Sequence, residues 1–147
     1  MNASVRLQPA VELAQQHADD AARQLAECRQ RIRDRKLQLE ELVGYRVDYA
    51  NGLQHKSRSG LNAARMNDYS LFMERLNKAI EQLQTDLDSA YKELAASKRI
   101  LLEKLQRAKA LESVVSRYQQ GEQMVKSRRE QNESDEHALR VVRTVFR

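Results

Sequence analysis

Apolar and small residues alternately three and four apart run without a slip from Val11 to Leu53. They are Val11, Ala14, Ala18, Ala21, Leu25, Cys28, Ile32, Arg35, Leu39, Leu42, Arg46, Tyr49 and Leu53. That spacing is the a/d seam a helix presents to another helix in a coiled coil. The two arginines fit it, because their stems can lie along a seam while the guanidinium stays in water. The second half of the chain carries the mirror image. If the chain turns back near Gly60 so that paired residue numbers sum to 122, the seam meets Leu111, Ala108, Lys104, Leu101, Ser97, Leu94, Ala90, Leu87, Leu83, Ile80, Leu76, Met73 and Tyr69. Large then meets small: Ala21 with Leu101, Leu25 with Ser97, Cys28 with Leu94, Ile32 with Ala90. Such complementarity fills the thin core that two helices share. The expected fold is all-α, a long two-helix antiparallel coiled-coil hairpin with a longer C-terminal helix.

Composition bears on what surrounds the seam. The chain is 32% charged, with four glycines, one proline and no tryptophan, which suits long helices better than a strand-rich globule. Residues 1–60 carry ten Lys/Arg against eight Asp/Glu, and residues 61–147 carry 16 against 13, so the net charge of +5 is a mild bias on a mixed surface. Cys28, the one cysteine, lies on the seam and reads as a small core residue in a reducing compartment. The start of the chain has no apolar run resembling a signal peptide, and nothing approaches the length of a membrane span. A cytoplasmic protein is expected.

The chain reads as one hairpin domain over 1–147. The first helix is expected from about 9 to 53, opening near Pro9, whose fixed φ suits a first turn. The turn falls within 54–67, where periodicity stops and Gly60 permits unusual backbone angles; Asn62 is a candidate N-cap, with Asn67 and Asp68 as alternatives. The second helix is expected over about 67–140. Once Val11 has met Leu111, residues 113–147 overhang, yet they hold Val114, Val115, Tyr118, Met124, Val125, Leu139, Val141, Val142, Val145 and Phe146. An isolated helix of that kind is marginal in water and calls for a partner.

Catalytic, cofactor and metal signals are absent from the pattern. His17, His55 and His137 lie far apart, and His17 with Asp20 is two ligands where structural zinc takes four. No glycine-rich phosphate loop exists, and no nucleophile sits beside a base. The run from Cys28 to Lys36 resembles the basic region of leucine-zipper transcription factors, but Ala21 stands where the base-reading asparagine belongs, and Glu27 and Asp34 interrupt the cations. Neither an enzyme nor a nucleic-acid binder is expected.

Near the turn the first helix is apolar on more than one face. Gln38, Leu42, Tyr45 and Tyr49 form a line beside the seam, and Phe72, Leu76, Ala79 and Leu83 form a line with the same spacing on the second helix. The lines mirror each other about the turn: 38 with 83, 42 with 79, 45 with 76, 49 with 72. One reading is a thicker core near the turn. The other, which we favour, is an exposed docking patch, since a two-helix hairpin buries one face of each helix.

These segments also carry a family likeness. Leu42-Val-Gly-Tyr45-Arg-Val-Asp-Tyr49, then Gly60, then Tyr69-Ser-Leu-Phe72-Met-Glu-Arg-Leu76-Asn-Lys-Ala79-Ile80 resembles the FliJ family of flagellar export proteins. Arg129-Glu130-Gln131-Asn-Glu-Ser-Asp135-Glu136 is similar to that family's E-Q-x-x-x-D-E ending. Leu83 departs from the pattern, since relatives carry a polar residue or histidine there. The resemblance implies a two-helix antiparallel coiled coil of the type III export apparatus, similar to the central stalk of rotary ATPases. It implies binding to the hexameric export ATPase, whose ring assembly it promotes, to the cytoplasmic domain of the export-gate membrane protein, and to flagellar substrate chaperones. It further implies a cytoplasmic protein held peripherally at the inner-membrane export apparatus, not inserted in the membrane. Gln38, Leu42, Tyr45, Tyr49, Phe72, Leu76, Ala79 and Leu83 would form the gate-docking patch, and the open end of the hairpin would enter the ATPase ring. The alternative is a general helical chaperone that escorts export substrates.

Overall fold

The computed structural model describes residues 2–58, 60 and 62–146. Among them are two α-helices and no strand: α1, Ala3–Arg58, and α2, Ala63–Val145. The helices pack antiparallel, as contacts such as Tyr49 with Phe72 and Ser4 with Glu122 require. At the reversal Gly60 has φ of 87°, the only positive φ among the described residues and one that a side chain would strain. Asn62 then caps α2: its Oδ1 accepts the Arg65 N–H at 2.9 Å, and its carbonyl accepts the Met66 N–H at 3.1 Å. Asn62, rather than Asn67 or Asp68, opens the second helix. Helix α1 runs nearer the turn than its apolar periodicity, because His55, Lys56 and Arg58 complement its C-terminal end, and α2 starts early on its Asn62 cap. Of the expected turn within 54–67, Ser59 and Leu61 lie outside the described residues.

The chain divides into two compact units: Ala21–Leu101, and Met1–Asp20 together with Leu102–Arg147. In the first, Ala21, Leu25, Cys28 and Ile32 from α1 are buried along with Leu76, Ile80 and Ala90 from α2. Leu83, Leu87, Leu94, Ser97 and Leu101 are half-buried, as are the seam arginines Arg35 and Arg46. Cross-helix contacts run one to three residues off the 122 ladder: Arg46 Nη1 donates to Asn77 at 3.3 Å, Arg31 Nη1 to Glu93 at 2.8 Å, and the Cys28 side chain meets Ser97, expected opposite Leu25, at 3.4 Å. No large side chain of the described residues is wholly sealed from solvent. Stability therefore rests on a stripe, with exposed pairs such as Arg31–Glu93 adding at most about 1 kcal/mol each.

In the second unit Val11, Ala14 and Ala18 are buried with Ala108 and Val115. Here the sequence reading needs correction. Helix α1 opens at Ala3, with Pro9 inside it, and residues 3–10 give the start of the supposed overhang a partner. Ser4 is buried; its N–H donates to Glu122 Oε1 at 3.1 Å and its hydroxyl to Glu122 Oε2 at 2.6 Å. The first turn of α1 contains no acidic residue, so Glu122 supplies from across the interface the anion and acceptor that a helix N-terminus wants. Those contacts offset the backbone hydrogen bond that Pro9 removes. Beyond Glu122 the helix lacks a partner: every described residue from 123 to 146 is exposed.

A candidate docking face and an unpartnered helix

The eight residues of the candidate patch sort into three settings within the Ala21–Leu101 unit. Tyr45, Tyr49 and Phe72 line a groove of about 690 Å³ with Tyr69, Gly52 and Leu53. Its apolar content is mainly aromatic and open to solvent: Tyr45 is 59% exposed and Phe72 42%. Tyr49 organises it, stacking on Phe72 with ring centroids 4.3 Å apart at 28° and on Tyr69 at 5.0 Å and 21°. The 49–72 mirror pair is thus in direct contact. Asp48 and Asp68 lie on the rim with Lys56 and Arg65, so the groove carries both signs of charge.

Gln38, Leu42, Ala79 and Leu83, the 38–83 and 42–79 mirror pairs, line a second groove of about 390 Å³ with Glu41, Gln82 and Asp86. Its charged residues are all acidic. Leu76 is in neither setting. It is buried as part of the seam. Of the eight, Leu76 thus belongs to the core, and the other seven keep solvent contact.

Sequence reasoning missed Tyr69 as a patch member, because its seam position opposite Leu53 accounted for it. Its i, i+3 relation to Phe72 was the available signal. Removal from solvent, and secondarily the neighbouring Tyr49, hold its phenol above the ordinary tyrosine pKa. The acidic members of the second groove were equally unforeseen, since charges on an exposed helix face look alike until the partner helix sets which of them meet.

In the other unit, Met124, Val125, Leu139, Val141, Val142, Val145 and Phe146 all stand exposed on or just beyond the unpartnered end of α2, Phe146 at 84%. Among the described residues no group of three or more His, Cys, Asp or Glu side chains is placed to hold a metal ion. No helix is long and apolar enough to cross a membrane, again among the described residues.

Grooves open to solvent and an unpartnered stretch of helix mark the chain as an antiparallel coiled-coil scaffold. Comparison with known proteins gives that class a family. The family model "Flagellar FliJ protein" matches residues 3–145. The chain is similar to the Flagellar FliJ protein of Salmonella typhi and to that of Escherichia coli (strain K12), each 30% identical over 129 residues, covering 88% of this chain and 88% of the relative. The chain belongs to the flagellar FliJ family.

Proposed function

We propose that this protein is a central-stalk-like component of the flagellar type III export apparatus, coupling the export ATPase hexamer to the export gate. The turn-side face, Gln38, Leu42, Tyr45, Tyr49, Phe72, Ala79 and Leu83 over Leu76, docks the cytoplasmic domain of the gate membrane protein. The end bearing residues 123–146 enters the ATPase ring and promotes its assembly, and substrate chaperones are handed on at the same apparatus. The protein is cytoplasmic and held peripherally at the inner membrane through these contacts. The observation that carries the reading is the exposure of Tyr45 and Phe72 around a ready-formed groove on a surface otherwise rich in charge. Aromatic side chains left in water this way are typical anchors of a binding surface.

The test uses the cognate export ATPase and the gate's cytoplasmic domain. Adding the full chain should raise ATPase activity and shift the enzyme toward hexamers at substoichiometric ratio. Tyr45→Ala with Phe72→Ala should abolish capture of the gate domain while leaving that stimulation intact. A general escort would instead bind many unfolded export substrates weakly and leave the ATPase unchanged. That outcome would replace the proposal.

A further inference from the structure

The second groove and the end of α2 are complementary in charge and in apolar pattern. On α1 no lysine or arginine lies between Lys36 and Arg46, and on α2 none lies between Lys78 and Lys92. The same stretches hold Glu40, Glu41, Glu81, Asp86 and Asp88, so a chain of net charge +5 has an acidic zone around this groove. Glu41 and Asp86 line the groove itself, with Leu42, Ala79 and Leu83 as its apolar surface. The end of α2 is the converse. Past Glu136 it has no acidic residue, while Arg140 and Arg143 have no ion-pair partner among the described residues. Leu139, Val142 and Phe146 recur at i, i+3 and i+7, the anchor spacing of a helix that lies in a groove. At about 100° per residue Arg143 flanks that apolar stripe, and Arg140 lies further round on the same side, so that its long side chain has to turn back to reach an acidic rim.

We infer that in the free protein this groove is covered by residues 139–146 of a second copy. Leu139, Val142 and Phe146 lie against Leu42, Ala79 and Leu83, and the arginines meet Glu41 and Asp86. The contact joins two different surfaces, so each copy offers one groove and one segment, which two copies exchange reciprocally or a series of copies passes head to tail. A segment of about two turns covers far less than the roughly 800 Å² per side of a stable interface, so the assembly is weak and concentration-dependent. Its consequence is that free molecules screen both apolar surfaces from solvent. The argument stands on this chain's own surfaces and does not depend on either proposed partner.

Sedimentation equilibrium of the full chain at low salt, up to on the order of 100 µM, tests it. The mass average should climb above one chain with concentration and fall back as salt screens the pairs. Arg140→Glu with Arg143→Glu should weaken association about tenfold, and Glu41→Lys with Asp86→Lys should do the same. Mixing the two double variants should restore it, because the reversed segment of one fits the reversed groove of the other while the unaltered segment and groove also pair. Phe146→Ser, just past the last helical residue, should weaken association without altering helix content. A chain that stays monomeric at the highest concentration overturns the inference. So does association that is indifferent to both charge reversals, or a mixture that is no stronger than its components.

Discussion

Gly52 offers a test in which stability and docking should move in opposite directions. It sits inside α1, not at an end, and a Cβ built on it meets nothing within 4 Å. Glycine in an exposed helix interior costs about 0.5–1 kcal/mol relative to alanine, chiefly through the backbone freedom lost on folding. Nothing in the free protein offsets that cost, so Gly52→Ala should stabilise by about that amount. For a chain of this size the thermal midpoint should rise by roughly 1–4 °C. Urea titration by circular dichroism should show a higher midpoint at unchanged slope. Gly44→Ala is the control: it too is helical, with nothing within 4 Å of an added Cβ, but it does not line the aromatic groove, whereas Gly52 does. Both variants should gain stability alike, and Gly52→Ala alone should weaken capture of the gate domain by narrowing the groove. A lowered or unmoved midpoint for Gly52→Ala would refute the reasoning, because it would mean the position is not an open helix interior.

Ile80→Ala should destabilise by about 2–5 kcal/mol in chemical denaturation, since Ile80 is 3% exposed, whereas Tyr45→Ala, at 59% exposed, should cost well under 1 kcal/mol. Glu122→Ala leaves the buried Ser4 hydroxyl without its acceptor at a cost of about 1–3 kcal/mol, and hydrogen exchange should report lost protection in the first turns of α1 rather than throughout. Cysteines at 21 and 101, in a Cys28→Ser background, should crosslink within one chain on oxidation; crosslinks found only between chains would contradict the pairing. Alkaline titration followed by tyrosinate absorbance should show a late-ionising phenol that Tyr69→Phe removes. The sign is that of a raised folded-state pKa: the neutral phenol's contribution is intact below the ordinary tyrosine value near 10 and fades as pH climbs through the higher folded value.

The seam was legible because burial in a coiled coil is written directly as spacing. A three-four alternation marks the buried stripe, and the mirror of that stripe across Gly60 gives the antiparallel pairing, so a contact such as Tyr49 with Phe72 follows from counting, whereas Cys28 meets Ser97 one layer away from its expected partner. The start of α1 was not legible for an equally physical reason. Pro9 is a strong local marker for a helix start, but the bond between Ser4 and Glu122 is a long-range cap, and no rule about the residues around Ser4 contains it. Tyr69 was hidden differently: one side chain served both the seam and the aromatic groove, and seam counting assigned it once. In each case local preference gave the element, while contacts distant in sequence decided its limits.

The same distinction explains why the candidate face is two grooves and not one patch. Leu42, Tyr45 and Tyr49 follow one another along a single line of α1, and on that evidence they would make one surface. What divides them is α2. Phe72 and Tyr69 stack on Tyr49 to make an aromatic wall, whereas Ala79 and Leu42 line a smaller hollow together with Glu41 and Asp86. Leu76, between them in sequence, is drawn into the seam and contributes no surface to either groove. Two hollows of different chemistry on one face can engage different residues of a partner independently. Substitution at Phe72 and substitution at Leu83 should therefore each weaken gate binding, and additively; a Leu83 variant that binds the gate domain normally would remove the acidic groove from the proposed docking face.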